Sequence, residues 1–192
     1  MVYDYIVDYL TRGFEKYGFD KVNLHIAEKY KEQNECENEE RKSDLQTRLE
    51  NYQKLMEGKT APEIEMTDDK GNRITLASMP ASYTILLFWA SWCPHCASML
   101  PEIKKIYRDQ NPQKFEIIGI SLDTDENEWK KAMAKEDLPW INCCDFKSWN
   151  CKAAIDYNIY ATPTMYVLDR NRTIIAKPIT TDQLREVVVN LK

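Results

Sequence analysis

The 192-residue sequence is poor in glycine, in histidine and in basic charge. It contains 5 glycines and 2 histidines, and its 26 Lys and Arg residues are outnumbered by 31 Asp and Glu residues. The high hydrophobic content, 43% of residues, excludes collagen-like and globally disordered chains. The net charge of −5 leaves no basic field that could hold a nucleic-acid backbone or an anionic membrane surface. We therefore expect no nucleic-acid partner.

The sequence also lacks a long hydrophobic run. The longest stretch without a charged residue, Ile74–Pro101, is interrupted by prolines and polar residues, and only Ile85–Ala90 is densely apolar. A membrane-spanning helix needs about 20 apolar residues, so this stretch predicts a buried strand and no transmembrane segment. Residues Met1–Tyr5 lack the basic start and apolar centre of a secretory signal, so we expect no signal peptide in this chain.

The first 57 residues have a helical pattern. Apolar residues recur at spacings of three and four over residues 2–17, which predicts a helix with these side chains on one face. Asp20 is a candidate N-cap for a second helix, and Ser43 opens a capping-box pattern for a third. We predict residues 1–57 as a small helical segment without catalytic chemistry, with two interpretations left open: a non-enzymatic interaction module or the end of a larger helical domain.

Residues 58–192 change to short strands that alternate with helices. Two continuous apolar runs, Tyr83–Ala90 and Phe115–Leu122, predict central strands covered on both faces. Turn residues at 68–71 and 169–172 predict two hairpins. Helices are predicted at Pro94 to about Arg108, at Glu126–Lys135, near Lys152, and before Leu191. The pattern predicts an α/β domain built on a layered sheet.

The motif Cys93-Pro94-His95-Cys96 directly follows a predicted central strand and opens a helix. A zinc knuckle would need a second cysteine pair of matching spacing, so this motif favours a redox dithiol. At the helix start, unpaired N–H groups and the helix dipole stabilise a thiolate, which predicts Cys93 as the exposed attacking nucleophile. Cys96 lies one turn inside the helix and is predicted as the shielded resolving thiol. Pro94 suits the first helical position, and His95 can add a cationic partner.

These residues resemble the thioredoxin superfamily. The resemblance rests on Phe88–Cys96, on Pro101 in the following helix and on the run Ala161–Thr164 before a strand. Residues 58–62 and 121–145 are more specifically similar to the TlpA/ResA branch of envelope thiol-disulfide oxidoreductases. The resemblance covers residues 58–192 and implies a thioredoxin-like fold, with a central mixed sheet and helices on both faces.

The resemblance also implies an activity. Cys93 and Cys96 would exchange disulfides with protein substrates in the periplasm or cell envelope, and a redox partner would reset the dithiol. The Cys93–Cys96 disulfide would be the only redox group, without a metal or another cofactor. Neither the direction of electron flow nor the oligomeric state follows from the sequence.

Five further residues are expected to contact the substrate. In the family, the proline that matches Pro163 is cis and presents backbone to the substrate, so the resemblance makes Thr162 and Pro163 the substrate platform. Trp92 would lie beside the dithiol and border the substrate groove. Pro94 and His95, between the two cysteines, would face the same substrate.

The sequence departs from the family pattern at two acidic positions. Thioredoxins have a buried Asp where this chain has Leu87, and the ResA branch has an acidic residue where it has Met99. The proton acceptor for Cys96 therefore stays open among Glu102, Asp123 and water. The Pro-His dipeptide is that of the oxidant DsbA.

The other four cysteines allow several interpretations. They can be small buried hydrophobic residues, they can form a second disulfide, or they can contribute to a metal site. The disulfide would join Cys144 to Cys151 or connect Cys36 to the sheet domain, whereas Cys143 would point away from Cys144 on a strand. Tryptophans 129, 140 and 149 are predicted to lie in the core or at its rim.

Two other activities compete with disulfide exchange. A metallochaperone could deliver copper with Cys93 and Cys96 as soft ligands, but the copper-delivery relatives use a CxxxC spacing and a distant His. This chain has only His25, a packing or surface residue, and His95. A peroxidase would need a Thr/Ser-x-x-Cys environment with an activating Arg, which residues 91–96 do not show.

Overall fold

The computed structural model describes residues 2–16, 19–33, 51, 53–109 and 114–191. The chain divides into two compact units, Met1–Lys59 and Thr60–Lys192. This division lies two residues beyond the boundary expected from the sequence. Each unit is described by itself below.

The N-terminal unit contains two helices, α1 (Val2–Lys16) and α2 (Asp20–Gln33), as the helical pattern predicts. The Asn23 side chain of α2 donates to the backbone carbonyl of Thr11 in α1 at 3.2 Å, and both residues are buried. The third predicted helix lies largely outside the described residues, although residues 51, 53 and 54 are helical. Cys36 also lies outside them.

The apolar face predicted for α1 is not its buried face. Tyr5 and Tyr9 are 71% and 69% exposed and stack on each other, with ring centroids 6.5 Å apart. Among the residues of this helix whose burial the structure describes, Val7 and Thr11 are buried, and the Thr11 hydroxyl donates to the carbonyl of Val7. A local hydrogen bond thus lets a polar side chain occupy the covered face.

The second unit is built on a five-stranded sheet with the order β5-β4-β3-β6-β7. The strands of this sheet are β3 (Tyr83–Trp89), β4 (Phe115–Ser121), β5 (Ile141–Cys144), β6 (Thr164–Asp169) and β7 (Ile174–Ala176). β3, β4 and β5 run parallel, whereas β6 and β7 pair antiparallel. A separate hairpin joins β1 (Glu65–Thr67) to β2 (Arg73–Thr75).

Four helices accompany this sheet. They are α3 (Pro94–Asp109), α4 (Glu126–Glu136), α5 (Lys152–Asp156) and α6 (Thr181–Val189). Short 3-10 helices span Leu76–Ser78 and Ser148–Asn150. None of the helices in the described ranges is long and apolar enough to cross a membrane.

The two apolar runs form the centre of the sheet, as the sequence predicts. In β3 every residue from Thr84 to Trp89 is buried, and in β4 every residue except Glu116 is buried. A strand with neighbours on both sides and cover on both faces has no solvated face, so it reads as a continuous apolar run. The Cys93–Cys96 motif follows the first of these central strands, and the segment that contains Asp123 follows the second.

One edge of the sheet collects the ends of four strands. Trp89, Ser121 and Cys144, the last residues of the three parallel strands, are register neighbours. Because β6 runs the other way, its first residue Thr164 pairs with Phe88 at the same edge. The Cys93–Cys96 motif and the Thr162–Pro163 bond therefore reach the same place from segments far apart in sequence.

Gly119 in β4 tests how tightly the sheet is packed. A Cβ at this position would lie 2.9 Å from both the Asn142 amide oxygen and the Trp140 indole nitrogen, which belong to buried residues. We predict that Gly119→Ala lowers the free energy of unfolding by about 1 to 3 kcal/mol, because both side chains must shift. Urea denaturation measures this loss. Val189→Ala, at an exposed position of α6, is the control and should change stability by less than about 0.5 kcal/mol. An unchanged urea midpoint for Gly119→Ala would contradict the packing described here.

Candidate active site

Cys93 occupies the N-cap of α3. Its N–H donates to the carbonyl of Ala90 at 3.2 Å, which closes the turn after β3, and its carbonyl accepts the first helical hydrogen bond from Ala97 at 3.1 Å. Its sulfur accepts the backbone N–H of Cys96 at 3.3 Å. An N-cap side chain satisfies N–H groups that have no partner within the helix, and here a sulfur does so.

The environment of the Cys93 sulfur favours the thiolate. Burial opposes ionisation, but hydrogen bonds with the Cys96 and Thr162 side chains and with the backbone N–H groups of Cys96 and His95 outweigh it. The pKa of Cys93 is therefore lowered from its ordinary value. A lowered pKa is what an attacking thiol needs near neutral pH.

Cys93 is less accessible than the sequence suggests. Only 5% of the residue is exposed, and its sulfur lies 3.2 Å from the backbone carbonyl oxygen of Thr162. The expectation of an exposed nucleophile is therefore wrong, because Cys93 is buried. The segment before β6 covers one side of its sulfur. A substrate disulfide must therefore pack against the surrounding surface in order to reach the Cys93 sulfur.

Cys96 has the opposite character. It is 1% exposed, and burial together with its hydrogen bond to Cys93 and the Cys93 charge raises its pKa to about 12. Both cysteines are free thiols in the structure. Cys93 is therefore the more acidic thiol and Cys96 the less acidic one, which is the order that the sequence predicts.

The Thr162–Pro163 peptide bond is cis, as the resemblance implies. The Thr164 hydroxyl donates to the carbonyl of Ala161 at 2.8 Å across the bend. This geometry brings the Thr162 carbonyl to the Cys93 sulfur from a position 69 residues further along the chain.

The remaining predicted contact residues surround the dithiol. Trp92 is 53% exposed, and Pro94 and His95 are exposed at the start of α3. The expected cationic role of the His95 side chain stays a prediction, and the structure adds a second contribution, because the His95 backbone N–H is one of the groups that lower the pKa of Cys93. The N-cap geometry of Cys93 explains this, since it turns the sulfur toward the first backbone N–H groups of the helix.

Asp123 anchors the turn that leads into the motif. This carboxylate is 2% exposed, and it accepts hydrogen bonds from the Ser91 N–H at 3.1 Å and from the Ser91 hydroxyl at 2.5 Å. The Ser121 hydroxyl donates to the same carboxylate at 2.5 Å. The sequence indicates Asp123 only as a candidate proton acceptor and gives no signal for either serine, since no local pattern links residues 91 and 123.

Glu102, another candidate proton acceptor for Cys96, pairs with Arg185 of α6. Asp123 is held by the two serines. Each of these carboxylates thus has hydrogen-bond partners of its own. The identity of the acceptor stays open.

A cleft of about 390 Å³ opens beside the motif, between α3 and α4. Ser91, Trp92 and Asp123 contribute to its wall on the motif side, and Lys131 and Ala132 contribute from α4. The site therefore continues into a concave surface on the side of Trp92.

The other described cysteines are buried free thiols, namely Cys143, Cys144 and Cys151. The Cys144 thiol donates to the backbone carbonyls of Ser121 and Asp123 at 3.5 Å each. Burial raises the pKa of Cys143 to about 12 and that of Cys144 to about 11. In this structure Cys144 and Cys151 are not joined by a disulfide, and all three cysteines occupy the positions of small buried residues. Within the described ranges no group of three or more His, Cys, Asp or Glu side chains could hold a metal ion.

The tryptophans divide between core and rim, as predicted. Trp129 and Trp140 are 3% and 5% exposed, whereas Trp149 is 40% exposed. The Trp149 ring lies beside that of Trp92, with centroids 6.2 Å apart. The sequence gives no signal for this pairing, because it depends on where the segment after β5 turns.

The AhpC/TSA family model matches residues 58–177, more than half of the chain. The chain belongs to the AhpC/TSA family. It is also similar to thiol-disulfide oxidoreductase ResA of Bacillus cereus, with 27% identity over 127 residues, 66% of this chain and 72% of ResA.

Solved structures give the same result. A thioredoxin domain of a thiol-disulfide oxidoreductase from Bacteroides vulgatus is 29% identical, with a TM-score of 0.66 over 72% of this chain and 99% of that domain. A thiol-disulfide oxidoreductase from Bacteroides fragilis is 31% identical, with a TM-score of 0.61 over 67% and 99% of the two chains. The thioredoxin-like fold and the ResA-like relationship are thereby confirmed, and this AhpC/TSA family member is a thiol-disulfide oxidoreductase.

Asp123 provides the test of this geometry. We predict that Asp123→Ala lowers the free energy of unfolding by about 2 to 4 kcal/mol, because Ser91 and Ser121 lose their acceptor. The loosened turn should also move the pKa of Cys93 back towards that of an ordinary thiol. Urea denaturation and the pH dependence of iodoacetamide alkylation measure the two effects.

Asp125→Ala is the matched control. Asp125 caps α4 by accepting the N–H groups of Asn127 and Glu128. Its loss should cost about 1 kcal/mol and leave Cys93 alkylation unchanged. Equal effects of the two variants on Cys93 would contradict the anchoring role of Asp123.

Proposed function

We propose that this chain exchanges disulfides with protein substrates through the Cys93–Cys96 dithiol. The observation that carries the proposal is the opposite perturbation of two thiols on one helical turn. The pKa of Cys93 is lowered by the N-cap hydrogen bonds, while burial raises that of Cys96 to about 12. Such a pair has one thiol ready to attack and one held in reserve.

The reaction begins with the Cys93 thiolate. It attacks one sulfur of a substrate disulfide, the substrate S–S bond breaks, and the departing substrate thiolate takes up a proton. A mixed disulfide now joins Cys93 to the substrate. Cys96 then loses its proton and attacks the Cys93 sulfur, which releases the second substrate thiol and leaves the Cys93–Cys96 disulfide. Two electrons have passed to the substrate, and the reverse sequence oxidises a substrate dithiol.

The second step is linked to the first through the charge of Cys93. Besides burial, the hydrogen bond to Cys93 and the negative charge of Cys93 raise the pKa of Cys96. Both of these contributions disappear when the Cys93 sulfur is in a mixed disulfide. Cys96 therefore becomes easier to deprotonate only after the substrate has been attacked.

Five residues contact the substrate in this proposal, namely Trp92, Pro94, His95, Thr162 and Pro163. The support for these contacts is their position, since Trp92, Pro94 and His95 adjoin the two cysteines and the Thr162 carbonyl contacts the Cys93 sulfur. No cofactor other than the Cys93–Cys96 disulfide takes part in the proposed reaction.

We place the activity in the periplasm or cell envelope on the strength of the resemblance to the TlpA/ResA branch, with a redox partner that resets the dithiol. Copper delivery remains an alternative from the sequence.

The roles of the two cysteines can be separated by substitution. We predict that Cys93→Ser abolishes reduction of a model protein disulfide, because no attacking thiolate remains. Cys96→Ser should still attack but should accumulate mixed disulfides, which non-reducing electrophoresis and mass spectrometry detect. If Cys93→Ser trapped substrate and Cys96→Ser did not, the two roles would be reversed.

The lowered pKa of Cys93 also bears on the direction of electron flow. Stabilising the thiolate stabilises the reduced form, which makes the disulfide the stronger oxidant. We propose that the pair has a reduction potential above that of thioredoxin, roughly −270 mV. A potential as low as that of thioredoxin would assign the chain as a reductase.

Two substitutions at His95 distinguish the effect of its backbone N–H on the Cys93 pKa from the effect of its imidazole. His95→Pro removes the N–H that stabilises the Cys93 thiolate, whereas His95→Ala keeps it and removes only the imidazole. A hydrogen bond to a charged group contributes about 1.5 kcal/mol, so we predict that His95→Pro raises the Cys93 pKa by about 1 and lowers the potential by about 30 mV.

We propose that the backbone N–H of His95 carries the effect, so His95→Ala should leave both the Cys93 pKa and the potential unchanged. Redox titration against glutathione and thiolate absorbance as a function of pH measure both. Equal changes in the two variants would instead assign the effect to the imidazole.

A further inference from the structure

Trp149 lies beside Trp92, the residue that precedes Cys93, and has no role in the chemistry described above. It sits on the short 3-10 helix Ser148–Asn150, between β5 and α5. Its ring is tilted by 58° against that of Trp92, with 6.2 Å between the centroids, and Trp92 precedes Cys93 directly. Trp149 is 40% exposed and Trp92 is 53% exposed. Two large apolar rings are thus left side by side in solvent next to the nucleophile.

The backbone that carries Trp149 is held in an unfavourable conformation. Phe146 and Ser148 have positive φ angles of 58° and 54°, which residues other than glycine rarely adopt. Such a conformation costs about 1 kcal/mol or more per residue and persists only where the surroundings enforce it.

Anchors on both sides enforce this conformation. Before Trp149, the Phe146 ring packs edge-on against the buried Trp129, with centroids 5.6 Å apart. After it, Cys151 is 1% exposed and its N–H donates to the Ser148 carbonyl at 3.0 Å. Phe146 and Cys151 are therefore anchored on either side of this turn, while Trp149 is exposed beside Trp92.

We propose that Trp92 and Trp149 together bind an aromatic or large aliphatic side chain of the protein substrate, close to its reacting cysteine. This inference rests on the proposed disulfide exchange and names the substrate feature that the site selects. The exposed pair is hereafter called the tryptophan pair.

The chemistry of the mixed disulfide places the substrate on this surface. The substrate sulfur must come within about 2.05 Å of the Cys93 sulfur. Because Cys93 is only 5% exposed, the residues that flank the substrate cysteine must lie against the rim, where Trp92 is the adjoining residue. An extended substrate segment therefore meets the tryptophan pair as soon as it reaches the nucleophile.

The tryptophan pair suits an apolar side chain of the substrate. Aromatic rings pack favourably edge-on or offset, and a partly exposed tryptophan has much apolar area still to bury. Tryptophan is also among the residues that contribute most to binding at protein interfaces. The interaction supplies selectivity between substrates and leaves the thiol chemistry to Cys93 and Cys96.

The test compares two peptide disulfides that differ at one position. Each peptide has the same length and one cysteine, joined to glutathione by a disulfide, with either Phe or Ala two residues from the cysteine. The initial rate of reduction is measured for the reduced parent protein and for Trp149→Ala, Trp149→Phe and Ile155→Ala. Ile155 is 59% exposed on α5 and serves as the matched surface control.

We expect the parent to prefer the Phe peptide by about 3- to 10-fold in kcat/KM, with the difference in KM. In Trp149→Ala this preference should fall to nearly 1, and Trp149→Phe should restore most of it. Ile155→Ala should keep the full preference.

Two results with the Trp149→Ala variant would overturn the inference. One is a preference for the Phe peptide that survives in Trp149→Ala, and the other is a loss of rate in Trp149→Ala that is equal for both peptides. Exchange by the parent without any preference would also overturn it while leaving the proposed function intact. Failure of the parent to reduce either peptide would overturn the proposed function as well.

Discussion

The capping of α3 by the Cys93 sulfur is the interaction on which the chemistry of this chain depends. An N-cap side chain is normally an oxygen that accepts backbone N–H groups, and a thiolate accepts them better than a neutral thiol because it is charged. The same hydrogen bonds that begin the helix therefore lower the pKa of Cys93. Helix stability and thiol reactivity have one physical origin here.

This coupling gives the cap a definite pH dependence. Because the pKa of Cys93 is lower in the folded protein than in the unfolded chain, ionisation of Cys93 stabilises the fold at pH values above the unfolded pKa. That contribution decreases as the pH falls and is lost below the folded pKa. Formation of the Cys93–Cys96 disulfide removes the thiolate and with it the charge of the cap. The reduced form is favoured for this reason, which is the physical basis of an oxidising dithiol.

Much of this arrangement can be predicted from local sequence, and the rest depends on the sheet. The strand, the turn and the helix around Cys93 follow from an apolar run, a proline and cysteine spacing, and the cis bond before Pro163 follows from the resemblance. The contact between Ser91 and Asp123 spans 32 residues, and it exists because β3 and β4 end in register at Trp89 and Ser121. The low exposure of Cys93 depends on Thr162, 69 residues away, and no periodicity reports such a contact.

The asymmetry between the two thiols also sets how long the site holds its substrate. With a pKa of about 12, Cys96 is almost fully protonated near neutral pH, whereas the pKa of Cys93 is lowered, so Cys96 does not compete for the substrate disulfide. Once Cys93 is bonded to the substrate, burial remains as the main obstacle to Cys96 ionisation, because the charge and hydrogen bond of Cys93 are gone. The mixed disulfide therefore has a finite lifetime that the depth of Cys96 controls. In the proposed reaction the substrate segment would lie against Trp92 during that lifetime, so contacts there would act at the stage when release and reversal compete.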